Sequence, residues 1–288
     1  TKLQIITGTN KGTINMKTLK RITNEMLEEN LFFIPTMGSL HKGHFSLIEK
    51  AMTSDLKIIV SIFVNPKQFN NISDYEKYPR THQKDSDSLE GIGVDYLFTP
   101  DEDYIYNDNF KNIISSGIIG EKYEGKSRPG HFDGVLTVVN RLFELVKPNK
   151  AIFGKKDAQQ LFLIKDYLKQ SNQNIEIFDG DIIRDKNGLA LSSRNLLLSE
   201  SGLAIASGLK RHLDFLKQTY IETSAIKTSI EKTLKNNRDS QLDIDYLEIL
   251  DKDTFGTVNN STKNFIIIIA GYVEGIRLID NIDFRKEE

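Results

Sequence analysis

Two of the chain's five histidines, His41 and His44, lie three residues apart on either side of Gly43. An imidazole can donate a hydrogen bond, so two aimed at one place suit the negative charge that develops on a leaving oxygen. The run before them, Leu31-Phe32-Phe33-Ile34, has the length and composition of a buried strand, and Pro35 ends regular pairing. Gly38 and Gly43 permit tight turns and close approach of a ligand. After His44 the apolar residues Phe45, Leu47, Ile48, Ala51 and Met52 follow helical spacing. The histidines therefore fall where a strand hands over to a helix, whose N-terminal N–H groups and partial positive charge suit a phosphate. One histidine in such a place would be an ordinary polar turn residue; the pair at a strand–helix junction favours a site. A zinc centre is disfavoured, because the chain has no cysteine and no third ligand stands nearby.

Three further stretches carry polar groups suited to chemistry, and one of them, Phe153 to Gln160, repeats the layout of strand end, glycine and charged helix start. Asn65 and Gln68 follow a β-branched apolar run, Lys57 to Val64, and would project amides toward the same rim. Gly154, Lys155, Lys156 and Asp157 open a helix, where Lys156 could reach a phosphate and Asp157 a ribose. Leu191, Ser192, Ser193 and Arg194 lie in a charged loop able to wrap polyphosphate oxygens and to act as a lid. Neither the G-x-x-x-x-G-K-[ST] loop nor the G-x-G-x-x-G fingerprint occurs, which removes support for P-loop and dinucleotide chemistry.

The elements that must carry these groups read as alternating strands and helices. Helical patterns span Met16 to Asn30, a segment running to about Ser54, Thr81 to Glu90, Gly134 to Val146 and Lys156 to Gln170. Strand patterns fall at Leu3 to Ile6, Lys57 to Val64, Asp95 to Thr99, Ala151 to Phe153 and Ile175 to Phe178, while Phe110 to Ile119 is ambiguous. Such alternation predicts an α/β fold, a doubly wound parallel sheet with helices on both faces. From residue 183 the pattern changes. Helices at Ser199 to Leu216 and Thr223 to Lys235 precede strands at Ile244 to Ile249, Phe265 to Val273 and Ile276 to Ile279. This predicts an N-terminal domain over 1–182 and a smaller α+β domain over 183–288.

Among 288 residues, 39% are hydrophobic and 27% charged, enough for a packed core. A net charge of −2 gives no case for nucleic-acid or membrane partners. The N-terminus shows no signal-peptide core, and the apolar run Phe265 to Ala270 is too short to span a bilayer, so a soluble cytoplasmic protein is expected.

Six strings together resemble one family. They are Pro35 to His44, Phe63 to Phe69, Tyr78-Pro79-Arg80-Thr81, Arg128-Pro129-Gly130-His131-Phe132, Phe153 to Gln160 and Leu191 to Asn195. In this order and spacing they are similar to the pantothenate synthetases (pantoate–β-alanine ligases), within the H-x-G-H superfamily related to class I synthetases. The resemblance covers most of residues 1 to 200 and implies a Rossmann-like, doubly wound nucleotidyltransferase fold. It also implies ATP-dependent condensation of pantoate with β-alanine through a pantoyl adenylate. On that likeness ATP would meet Met37, Gly38, Ser39, Leu40, His41, Lys42, Gly43 and His44, with His44 as proton donor and His41 and Lys156 as further catalytic groups. Gly154, Lys155, Lys156 and Asp157 would hold ribose and phosphates, Ile183 would line the adenine pocket, and Leu191, Ser192, Ser193 and Arg194 would close over the polyphosphate. Gln68 and Gln160 would bind pantoate, and Gln68 would also meet β-alanine. Magnesium is an implied cofactor, with Asp85 as its ligand, and a homodimer the implied assembly. Two departures stand out. Leu191 replaces a frequent methionine, a volume-conserving change, and Lys84 precedes Asp85 where some members carry a second acid, which weakens the metal assignment. Another adenylyl or nucleotidyl transferase of the same fold remains the alternative; it would share the histidine turn without needing both Gln68 and Gln160.

Overall fold

The computed structural model describes residues 15–107, 110, 112–236 and 241–285. The strand expected at Leu3 to Ile6 lies outside them. In chain order the first part runs β1 (Lys17–Leu19), β2 (Leu31–Thr36), α1 (Lys42–Ala51), β3 (Lys57–Ile62), α2 (Ile72–Lys77), α3 (His82–Gly91), β4 (Tyr96–Phe98), α4 (Glu102–Ile105), α5 (Gly117–Gly120), α6 (Glu124–Ser127), α7 (His131–Val146), β5 (Lys150–Gly154), α8 (Ala158–Gln170) and β6 (Glu176–Gly180). The second part runs α9 (Glu200–Ala206), α10 (Gly208–Thr223), α11 (Ile226–Lys235), β7 (Asp243–Asp251), β8 (Gly256–Thr257), β9 (Asn264–Val273) and β10 (Ile276–Arg285).

The first six strands pair in the order β1-β4-β3-β2-β5-β6, all parallel. Alternate residues of β2 and β3 face opposite sides, as a strand requires. Leu31, Phe33 and Ile59 enter a core with α7 and α8, while Phe32, Ile34, Ile58 and Val60 pack with Leu47, Ile48 and Ala51 of α1 and Leu89 of α3. Both faces are thus covered, which explains the unbroken apolar strands. The C-terminal domain is a four-stranded antiparallel sheet, β10-β9-β7-β8, over a separate core that includes Leu209, Leu213, Leu216, Ile267 and Ile269. The two parts meet where Leu250, Phe255, Ile266 and Ile268 pack against Ile119, Tyr123, Ala158 and Phe162.

The helix expected over Met16 to Asn30 is absent. Its start is β1, a sheet-edge strand with Lys17 opposite Tyr96, and its end is a single tight turn, Glu25–Glu28. Part of the apolar set still packs inward: Met26 is buried, and Leu19 and Ile22 pack against the same core, while Met16 packs on the other face of the sheet and Leu27 is exposed. Strand pairing has overridden a helical periodicity that marked the buried Met26 and the half-buried Met16, Leu19 and Ile22 but also the exposed Leu27. The helix expected from Ser199 to Leu216 is broken at Ser207 and runs on to Thr223; at the break, Gly208 lies so close to Leu242 that a Cβ would stand 2.9 Å from it. Part of the ambiguous stretch becomes α5. No helix among the described residues is long and apolar enough to cross a membrane.

Candidate active site

The chain passes from β2 outward through β3 and β4, then returns to β5 on the other side of β2. Strand order therefore reverses between β2 and β5, and ligands of open α/β sheets bind beyond the carboxyl ends at such a point. A cleft of about 240 Å³ lies there, lined among others by Met37 at the end of β2, Gly154 at the end of β5, His41 and His44.

The histidine turn is built from the backbone outward. Thr36 donates its hydroxyl to Ser61 O at 2.7 Å and accepts from Gly38 N at 3.2 Å. Gly38 has φ +81°, and a Cβ there would stand 3.0 Å from Ile62 and 3.1 Å from Asp85, so glycine is required. Ser39 also takes a positive φ, 52°. The turn then enters α1 with His41 as its N-cap. His41 Nδ1 accepts from Gly43 N at 3.1 Å, and His44 Nδ1 accepts from His41 N at 3.3 Å. This is a capping box made of imidazoles. A neutral imidazole whose Nδ1 accepts must carry its proton on Nε2, so both rings, 4.1 Å apart between centroids, offer an N–H donor at the cleft.

Electrostatics keeps both rings neutral. Burial, then the Lys156 charge, lowers the His41 pKa to about 4. Burial, then His41 and Lys156, lowers that of His44 to about 3. Lys156, Arg128 and Arg194 bring three cations to the cleft against Asp157 and Asp181. Burial and the neighbouring Arg194 charge lower the Arg128 pKa to about 10, which leaves it charged at neutral pH. Two guanidiniums held near each other in this way favour an anion between them.

Gln68 sits at the far wall. Its Oε1 accepts from Asn65 Nδ2 at 3.2 Å and its Nε2 points to Met37 Sδ at 2.9 Å. Sulfur is a weak acceptor, so that N–H is readily given to a substrate oxygen. The Gln68 carbonyl accepts from His131 Nδ1 at 2.8 Å and from Arg128 at 3.3 Å. α7 can press this closely because Gly134 has no Cβ, which would lie 2.3 Å from Lys67 O.

The cleft brings together Met37, His41, Gly43, His44, Gln68, Gly154, Lys156, Asp157, Gln160, Ile183, Leu191, Ser192, Ser193 and Arg194. Gly38, Ser39, Leu40, Lys42 and Lys155 are not among its lining residues; the first four form the turn and the helix start, and the Lys155 ammonium is held at 2.7 Å by Asp181, itself a cleft residue. Asp85 does not fit a magnesium ligand. It is buried, its Oδ2 accepts from Ser39 N at 2.8 Å and Thr81 Oγ1 at 3.0 Å, and its Oδ1 accepts from Leu40 N at 2.9 Å. Among the described residues no cluster of three or more His, Cys, Asp or Glu could hold a metal ion. Asn65 lines the cleft beside Gln68, but its polar atoms are taken up within the fold. Its Nδ2 also donates to Gly134 O, and its Oδ1 accepts from Lys67 N and the Tyr106 hydroxyl. The roles of Arg128 and His131 escaped the sequence, although their string is one that carries the resemblance; the turn Pro129-Gly130 ahead of a helix was the available signal.

The model of the family described as pantoate-beta-alanine ligase matches residues 12–283. The chain belongs to that family. Its activity is accordingly ATP-dependent ligation of pantoate and β-alanine, of the AMP-forming kind. The pantothenate synthetase of Vesicomyosocius okutanii is 43% identical over 261 residues, 91% of this chain and 92% of that protein. A crystal structure of pantothenate synthetase from Thermus thermophilus superposes with a TM-score of 0.85 at 35% identity, over 93% of this chain and 99% of the other. A pantoate-beta-alanine ligase structure from Francisella tularensis, described as complexed with beta-gamma ATP and beta-alanine, has a TM-score of 0.76 at 37% identity, over 95% and 98% of the two chains.

Proposed function

We propose that this cleft runs the ligation in two stages. The pantoate carboxylate attacks the α-phosphorus of ATP, the bond to the β-phosphate oxygen breaks, and pyrophosphate leaves. The β-alanine amine then attacks the acyl carbon of pantoyl adenylate, the carbon–oxygen bond to AMP breaks, and the amine gives up a proton. The observation that supports this most is the pinning of both Nδ1 atoms at the start of α1. It leaves two neutral N–H donors for the cleft, and on this reading they meet the charge that the leaving pyrophosphate gains, where preorganised donors act on the transition state. His44 has the role of donor to the leaving group, with His41 and Lys156 beside it. Bound polyphosphate raises the pKa of both rings, because nearby negative charge favours the imidazolium.

Gly154 and Asp157 are assigned to the ribose and Ile183 to the adenine. Ser192, Ser193 and Arg194 are assigned to the polyphosphate, and their loop reaches α2, where Arg194 lies 3.6 Å from Asp74. Gln68 and Gln160 are assigned to pantoate, with Gln68 near β-alanine. An acyl adenylate is already activated, so positioning can supply much of the second stage. Magnesium is assigned to ATP itself and to no carboxylate of this chain. A domain boundary between residues 182 and 183, a homodimer and a cytoplasmic location belong to the same reading. The test is pyrophosphate release from ATP and pantoate. A burst near one equivalent of enzyme is expected without β-alanine, and steady turnover to free AMP and pantothenate with it. Pyrophosphate appearing only after β-alanine is added would overturn the two stages; AMP retained on the product would favour the nucleotidyl-transferase alternative.

A further inference from the structure

Lys156 stands on the three-residue connection between β5 and α8; it lines the cleft and its charge acts on His41 and His44, while the neighbouring Lys155 is paired with Asp181. What aims it comes from the other end of the chain. Asn281 of β10, buried at 5% exposure, donates from Nδ2 to Lys155 O and to Lys156 O, each at 2.9 Å. These two carbonyls belong to the peptide planes on either side of the Lys156 Cα. Peptide planes are rigid, so holding both fixes the two soft dihedrals of that one residue. Both amide hydrogens of Asn281 are used in doing so.

Asn281 is itself held from two sides. Its N–H donates to Asp280 Oδ1 at 2.7 Å, and its carbonyl accepts from Arg184 at 3.2 Å. Arg184 also pairs with Asp280 through contacts of 2.5 and 2.9 Å and donates to Gly188 O at 3.0 Å. It lies between Ile183 and the Leu191 to Arg194 stretch, both of which line the cleft. Two adjacent residues midway along β10, Asp280 and Asn281, therefore anchor both loops that face the polyphosphate.

We propose that Asn281 is a positioning residue. Seating of the C-terminal sheet sets the backbone of Lys156 and thereby directs its ammonium onto the phosphates of ATP. This rests on the assignment of Lys156 to ATP phosphates, and a thermodynamic cycle separates the two. ATP is titrated calorimetrically, without pantoate, into the full-length native protein, Asn281→Ala, Lys156→Ala and the double variant, with thermal unfolding as a check of folding. Asn281→Ala is expected to weaken ATP binding about tenfold when Lys156 is present and less than about twofold when it is absent, since residues acting through one contact are not additive. Equal losses in both backgrounds would show that Asn281 merely packs the interface, and no loss with Lys156 present would also overturn the proposal. Unchanged affinity in Lys156→Ala would overturn the phosphate assignment itself, and is told apart because it appears in the single variant. Should Asn281→Ala fail to fold, Asn281→Ser, which keeps one short donor and cannot span both carbonyls, takes its place in the cycle.

Discussion

Replacing Asp85 by asparagine keeps the shape of the side chain and removes one of two oxygens that hold the turn ahead of α1. In the native protein Ser39 N and Leu40 N donate to different oxygens of one carboxylate, and Thr81 supports it with its hydroxyl. Asparagine must point its NH2 at one of those backbone donors, so at least one bond becomes a donor–donor contact. A hydrogen bond to a charged group contributes about 1.5–3 kcal/mol. The turn also has Ser39 at φ 52°, a left-handed geometry that costs roughly 1–2 kcal/mol per residue and that the carboxylate offsets. A net loss of about 2–3 kcal/mol in holding the turn corresponds to roughly 30- to 150-fold in adenylation. Pyrophosphate release from ATP and pantoate measures it, repeated over a range of magnesium concentrations. The expected result is a lower rate whose magnesium dependence matches that of the native protein. Recovery of the native rate at high magnesium would refute this account and return Asp85 to the metal.

Other perturbations isolate other parts of the site. His44→Asn leaves an acceptor for His41 N but no donor in the Nε2 position, so adenylation should fall by about 10²–10³ with folding retained; near-normal pyrophosphate release would remove His44 from the chemistry. Arg194→Ala should slow adenylation and let water reach the adenylate, so that AMP exceeds pantothenate when both are measured in one reaction. Equal amounts of the two products would reduce Arg194 to a charge contact. His131 donates from Nδ1 to Gln68 O and faces Arg128 with Nε2, and burial, then the Arg128 charge, lowers its pKa from 6.5 to about 3. The unfolded chain thus takes up a proton that the folded chain refuses. Stability from this group is whole above 6.5 and falls with pH until about 3. The loss by about pH 5 is about 2 kcal/mol. Urea unfolding at about pH 7 and about pH 5 should show that excess loss relative to His131→Gln, which has no titrating ring; identical pH dependence in the two proteins would contradict it.

Much of this protein is legible locally. Apolar runs marked β2 and β3 because a parallel sheet buries both faces of a strand, and 3.6-residue spacing marked α7 because one side of it must meet that sheet. The histidine pair and Lys156 could be placed at strand ends, since helix starts and glycines have local signatures, and the Ser192–Arg194 loop at the change of pattern between the two parts. Met16 to Asn30 shows the limit. Its spacing picked out the buried Met26 but also the exposed Leu27, while the choice of strand was made by Tyr96 to Phe98, a parallel edge distant in sequence. Asn65 and Asp85 show a second limit. A polar side chain near a site reads the same in sequence whether it faces the ligand or holds the backbone. What assigns both to structure is the set of backbone donors and acceptors that folding brings around them. Asn281 is the extreme case, since its function is a distance to two carbonyls some 125 residues earlier in the chain. Residue types and their spacing determine which chemistry is present; only the packing of one sheet against the other decides which way Lys156 points, because a backbone conformation can be set by a bond that no neighbouring residue supplies.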